Sequence, residues 1–212
     1  RVADAGLICL TAKGGIAVGT EKGWKSLSKA GLPAMFYISK LDEEHATFFN
    51  VFDSLREMFG ASVIPFTFPI MNGDKAVGVV DLVTKKAYDE AGKEIALPAD
   101  AADKIEEYMA ELNEQVAETD EALMEKFFME EPFTDEELLT GIKAGIRTRS
   151  VTPVFCGCAY TGLGTTSLME NIVKFAPNPL EGKPMTQIVD GEEKEFKLDP
   201  KGSPMAFVFH TM

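Results

Sequence analysis

The sequence is poor in the residues that build metal centres and redox scaffolds. It holds three cysteines and two histidines in 212 residues. Cys9, Cys156 and Cys158 form no Cys-x-x-Cys pair, and His45 and His210 lie far from them in sequence. Structural zinc takes four such ligands at short spacings, so no metal site is expected. An odd number of thiols in or beside apolar segments predicts reduced cysteines in a cytoplasmic protein. No run of about 18 apolar residues occurs, so no membrane-spanning helix is expected. The opening residues Arg1-Val2-Ala3-Asp4 lack the pattern of a secretory signal. Cations are scarce, with 21 Lys and Arg against 34 Asp and Glu, a net charge of -13. Phosphate backbones are gripped by clustered Lys and Arg, so a broad nucleic-acid surface is not expected either.

What is present suffices for a core, at 45% hydrophobic residues, and the length suits one or two domains. Leu7–Leu10 is a short continuous apolar run, the mark of a strand covered on both faces. A loop, Thr11 to Ile16, leads to a helix that Thr20 can cap, with Trp24 and Leu27 inward and Gly31 and Pro33 at its end. The strand Ala34–Ile38 follows. Strand, helix and strand with short links predict a right-handed parallel unit. From about Glu44, Phe48, Phe52, Leu55 and Phe59 fall on one helical face. Their regular spacing reads as core packing rather than a ligand pocket.

At Ser62 the pattern changes. Val63–Ile70 and Lys75–Val83 read as strands joined through Asn72-Gly73, a strong hairpin signal. Ala87-Tyr88 and Glu94-Ile95 extend an antiparallel set. Three helices follow between Asp100 and Arg149: one capped by Asp100, one from Thr119 to about Met129 with Leu123, Phe127 and Phe128 inward, and one opened by the capping box Thr134-x-x-Glu137. Glu106, Glu107, Glu111, Glu114, Glu118, Glu121 and Glu125 fall mainly between the apolar positions, which makes a solvated face or a partner-binding surface. Val151–Cys156 then restores the parallel pattern, although Pro153 is awkward in a central strand. A helix spans Thr165–Phe175, Pro177, Pro179 and Pro184 mark a linker, and Phe196-Lys197-Leu198 with Met205–His210 look like the first strands of an all-β domain. The fold class is therefore α/β. An incomplete parallel sheet of three strands (1-62 and 151-176) is interrupted by an inserted α+β subdomain (63-150) and followed by a linker and the start of a second domain (177-212). A strand so near the first residue suggests a piece of a longer protein.

The site candidate is Ser39-Lys40-Leu41-Asp42. Ligands of α/β sheets bind at the carboxyl ends of the strands, which is where this tetrapeptide lies. It is a variant of the Asn-Lys-x-Asp motif by which GTP-binding proteins recognise guanine. A carboxylate accepts two hydrogen bonds from guanine N1–H and N2–H, whereas it meets a repelling lone pair on adenine N1. Asp42 can therefore select guanine, and the Lys40 stem can cover the base face. Gly157-Cys158-Ala159, at the end of the next parallel strand, can present backbone N–H groups to O6. A surface turn in which Asp42 caps the next helix is the alternative.

Beyond these residues, the sequence resembles the GTPase domain of bacterial elongation factor G, from its middle to the start of the next domain. Ser39-Lys40-Leu41-Asp42 matches the guanine motif. Val151 to Ala159 matches the strand and Gly-Ser-Ala loop that complete the base site, Val77 to Tyr88 and Ala117 to Met124 match that family's insertion, and Asp199 to Met205 matches the approach to its second domain, a β-barrel. The resemblance implies base recognition by Ser39, Lys40 and Asp42, with Cys158 and Ala159 in the Ser-Ala places. It implies GTP or GDP with Mg²⁺ in the full-length protein, and the ribosome and the ribosomal stalk protein as partners. Two departures stand out. Ser39 replaces the usual Asn and reaches less far, and Cys158 replaces Ser and is the weaker hydrogen-bond partner. No Gly-x-x-x-x-Gly-Lys-Ser/Thr loop occurs; Gly14 to Gly19 followed by Thr20 lacks the lysine. This chain alone is thus expected to lack the phosphate cradle and the Mg²⁺ ligands, to bind no nucleotide and to be inactive. The strand edge at Leu7–Leu10 is expected to stand open, where it invites an artefactual dimer. The competing readings are a ribosomal protection protein, a release factor, or a non-catalytic acidic partner-binding module.

Overall fold

A computed structural model describes residues 2–182, 185–196, 198–199, 201–202, 206 and 208. Within Ala5–Ala176, one compact unit, the chain forms an α/β layer and an insertion. Strands β1 (Gly6–Thr11), β2 (Ala34–Ser39), β3 (Val63–Pro65) and β8 (Thr152–Cys156) make a parallel sheet in the order β1-β2-β8-β3. Helices α1 (Val18–Ala30) and α2 (Phe48–Phe59) form the β1 and β2 crossovers. α1 ends at Gly31, whose φ of 63° is the left-handed conformation that glycine adopts without strain. Its start differs from the expectation. Ala17 is the N-cap, and the Thr20 hydroxyl accepts from the Ala17 N–H from inside the first turn.

The central strands β2 and β8 are buried almost throughout. Alternate residues face opposite sides. On one side Phe36 stacks with Trp24 of α1 (5.6 Å) and Phe59 of α2 (5.3 Å). On the other, Phe155 meets Phe66 edge-on at 5.9 Å, and Phe66 meets Phe175 of α6 (Thr165–Phe175) at 5.6 Å. Burial of each such ring contributes roughly 2–3 kcal/mol. Pro153 is tolerated for a specific reason. Thr152 N–H points at β3, to the Ser62 carbonyl, and Gly157 N–H at β2, to the Ile38 carbonyl. By alternation the missing Pro153 N–H faces β2, one residue before the β2–β8 ladder begins at Phe36–Val154.

The sheet has four strands rather than three. The apolar run from Val63 to Ile70 is not one strand. Val63–Pro65 pairs in parallel with β8, and β4 (Thr67–Asn72) pairs antiparallel with β5 (Lys75–Asp81). Phe66 is the switch: its N–H donates to the Val154 carbonyl, and its own carbonyl accepts from Leu82 N–H. A continuous apolar run carries no mark of that change of partner. The antiparallel sheet continues through β6 (Lys86–Asp89) and β7 (Glu94–Ile95) in the order β4-β5-β6-β7.

Three helices complete the insertion: α3 (Ala99–Ala117), α4 (Glu121–Phe128) and α5 (Asp135–Thr148). Pro98, not Asp100, is the N-cap of α3, and Asp120 caps α4. The Thr134–Glu137 capping box of α5 forms as the spacing predicts. Phe127 and Phe128 do not turn inward with Leu123; they are 36% and 77% exposed. With α4 only eight residues long, Leu123 alone is buried. The acidic positions of α3 lie on its open face, except Glu111, which pairs with Arg56 of α2 at 2.9 Å. Within residues 177–212, β9 (Met185–Val189) and β10 (Glu192–Phe196) form an antiparallel hairpin. The hairpin turns at Asp190-Gly191, both at positive φ, a dipeptide that favours such turns. Pro184, Lys197 and most of the expected strand Met205–His210 lie outside the described residues.

Candidate functional site

The carboxyl ends of β2 and β8 lie side by side, Ile38 opposite Cys156, and the loop after each strand leaves from the same edge. Ser39 ends β2. Its hydroxyl donates to the Leu10 carbonyl (2.9 Å), and its carbonyl accepts from Ala12 N–H (2.9 Å). The short side chain therefore ties β2 to the end of β1 through a backbone group. Lys40 turns the chain with a φ of 60°, unusual for a residue with a Cβ. Its ammonium donates to Glu43 Oε1 at 2.8 Å, and that hydrogen bond raises the Lys40 pKa. Asp42 is exposed.

The second loop closes on itself. Cys158 N–H donates to the Leu163 carbonyl and Gly162 N–H to the Cys158 carbonyl, both at 2.9 Å. Two glycines are required. A Cβ on Gly157 would come within 2.2 Å of the Leu163 oxygen, and one on Gly164 within 2.3 Å of the Cys156 oxygen. The fold turns Cys158 inward and Ala159 outward. Cys158 Sγ donates to Asp42 Oδ1 at 2.9 Å, so the two loops are joined directly. The Ala159 N–H makes no hydrogen bond among the described residues and stands in the loop that this carboxylate joins. Nearby burial pushes the Tyr37 phenol and the Cys156 thiol each up to about 12, which keeps both neutral.

All five sequence candidates thus lie at one sheet end. Asp42 and Cys158 come together, with Ala159 next in the same loop, while Lys40 pairs with Glu43 and Ser39 with the β1 backbone. Asp42 does not cap the following helix, because α2 starts at Phe48 behind the N-cap Thr47. The helical pattern expected from Glu44 begins later because Lys40 and His45 both take positive φ and hold the intervening residues in turns. The direct Cys158–Asp42 bond was not read from sequence; a Cys 116 residues away carries no local signal of its partner.

The two loops place a carboxylate, Asp42, and a backbone N–H without a hydrogen-bond partner among the described residues, that of Ala159, at the ends of neighbouring strands. In the loop after β1, Gly14 N–H is taken by the Thr11 hydroxyl and Gly15 N–H by the Thr11 carbonyl. No group of three His, Cys, Asp or Glu among the described residues is placed to hold a metal ion.

The two loops leave the carboxyl ends of adjacent parallel strands, where α/β domains bind their ligands. Residues 1–178 match the family described as Elongation factor Tu GTP binding domain. The chain belongs to that family. It is also similar to a crystal structure of a protein from Thermus thermophilus, at 30% identity and a TM-score of 0.78, over 88% of this chain and 29% of that one. The chain therefore spans less than a third of that protein's length. Among the described residues no helix is long and apolar enough to cross a membrane.

Proposed function

We propose that this chain is the guanine-reading half of the nucleotide site in a longer translational GTPase of the elongation-factor-G kind, working in ribosomal translocation. The observation that carries the reading is the Cys158–Asp42 hydrogen bond, which fixes the carboxylate against the loop bearing the free Ala159 N–H. Asp42 accepts from guanine N1–H and N2–H, Ala159 N–H donates to O6, and the Lys40 stem covers one face of the base. Ser39 braces the strand ends. The phosphate cradle, the Mg²⁺ ligands and the groups that position water belong to other parts of the longer protein, so this chain alone does not turn over GTP. The test is titration of the longer protein with GDP and ADP. Wild type should prefer GDP. Asp42→Asn should weaken GDP by about 100-fold, since the neutral amide accepts one guanine donor and sets its own NH₂ against the other; an unchanged GDP affinity would sink the reading.

A second role rests on the insertion. Its acidic helix face ends beside exposed Phe128 and Met129, 77% and 61% accessible, which suits docking of the ribosomal stalk protein. Binding of isolated stalk protein should fall on Phe128→Ser; equal binding would remove this role.

A further inference from the structure

One buried carboxylate lies outside the base site. Asp81, the last residue of β5, is 3% exposed. A carboxylate withdrawn from water is costly unless donors surround it, and Asp81 has four. Thr84 N–H and Thr84 hydroxyl donate to Oδ1 at 2.8 and 2.9 Å. Ser167 hydroxyl and Asn171 Nδ2 donate to Oδ2 at 3.1 and 2.7 Å. The first pair belongs to the insertion. The second belongs to α6, on the nucleotide-binding side, and Asn171 also returns to the Ser167 carbonyl at 2.9 Å.

α6 is the direct continuation of the base loop. Leu168 N–H donates to the Gly164 carbonyl and Thr165 N–H to the Gly162 carbonyl, while Gly162 N–H is held by Cys158. Whatever fixes Ser167 and Asn171 therefore fixes the start of the helix from which the Cys158–Gly164 loop hangs. A separate contact acts in the same place. The turn between β6 and β7 lies against the loop and the first turn of α6. A Cβ on Gly92 would come within 2.9 Å of Thr166 Oγ1, and one on Gly162 within 3.5 Å of the Glu90 carbonyl oxygen. Polar joint and packed turn both come from the insertion sheet.

We propose that Asp81 is a positioning residue for guanine recognition: by holding Ser167 and Asn171, the insertion sets where the Cys158–Ala159 loop stands against Asp42. The inference rests on the guanine reading above. It gives the insertion a second task, because a partner that shifts its sheet moves the base loop with it.

The test uses the full-length protein and measures GDP and ADP dissociation constants, the fraction of active sites and the melting temperature together. Asp81→Asn turns an NH₂ toward one of the two donor pairs that the carboxylate accepts from, and Asn171→Asp sets two carboxylates against each other, so each single change weakens the joint. Each should raise the GDP dissociation constant roughly tenfold and leave ADP unchanged. Ser167→Ala removes a single donor and gives a milder variant if either single swap fails to fold. A lowered melting temperature or active fraction with an unaltered GDP dissociation constant would make Asp81 a structural residue only and overturn the inference. A wild type that does not prefer GDP over ADP would remove the guanine reading, and this inference with it.

Discussion

The parallel sheet and the insertion solve the same problem in different ways. In the parallel sheet, β2 and β8 are covered on both faces, so their apolar runs are unbroken and polar chemistry is confined to the strand ends. In the insertion, one face of each helix packs and the other is acidic and wet. The insertion then meets the α/β layer partly through polar groups, the Asp81 joint and the Arg56–Glu111 pair. One apolar core nonetheless runs through both, with Phe52 of α2 edge-on to Tyr108 of α3 at 5.9 Å, so the contrast lies between unbroken apolar strands and half-wetted helices.

That contrast can be broken most severely in the parallel sheet. Phe155→Ala removes a fully buried ring between β8 and Phe66, and should cost about 3–5 kcal/mol in denaturant unfolding. A cost below about 1 kcal/mol would mean the central strand is not the core. Gly157→Ala should cost about 1–3 kcal/mol, because the added methyl runs into a backbone oxygen. It should also disturb the base loop, seen as loss of GDP binding beyond the stability loss. Thr134→Ala removes a capping hydroxyl from α5 and should cost about 1 kcal/mol, read most clearly as faster amide exchange in the first turn of α5. Phe128→Ala at the insertion tip should change stability by no more than about 0.5 kcal/mol in either direction, the inverse of Phe155.

A pH titration sharpens the same comparison. The hydrogen bond from Lys126, and then that from Thr134 N–H, holds the Glu137 carboxyl down to about 2. A group depressed in the folded state stabilises it above its unfolded pKa. That contribution is lost as pH falls from the usual 4.5 through about 2. Carboxyl NMR should show Glu137 titrating in this acid range and returning upward in Lys126→Ala. A Glu137 that titrates normally in the wild type would mean that the Lys126–Glu137 pair does not persist in solution.

How much of this was legible in the sequence follows from the same division. Buried parallel strands write themselves as apolar runs, and their carboxyl ends mark where a ligand site can lie. The placement of Ser39, Lys40, Asp42, Cys158 and Ala159 at one sheet end was therefore readable. What stayed hidden were partnerships between distant residues. Val63–Pro65 changes sheets at Phe66 without any change of composition. Asp81 looks like an ordinary strand-end acid until Ser167 and Asn171 arrive from 86 and 90 residues away. Phe127 and Phe128 read as core because helical spacing shows which residues share a face, but not how far the neighbouring element extends to cover them.

The central claim is that Asp42 reads the N1–N2 edge of guanine. Competition between GDP and IDP, which differ only in the 2-amino group, isolates that contact in the full-length protein. The account predicts that wild type prefers GDP by about tenfold or more, the value of one hydrogen bond to a charged acceptor, and that Asp42→Asn erases the preference. Equal binding of GDP and IDP by the wild type would contradict it.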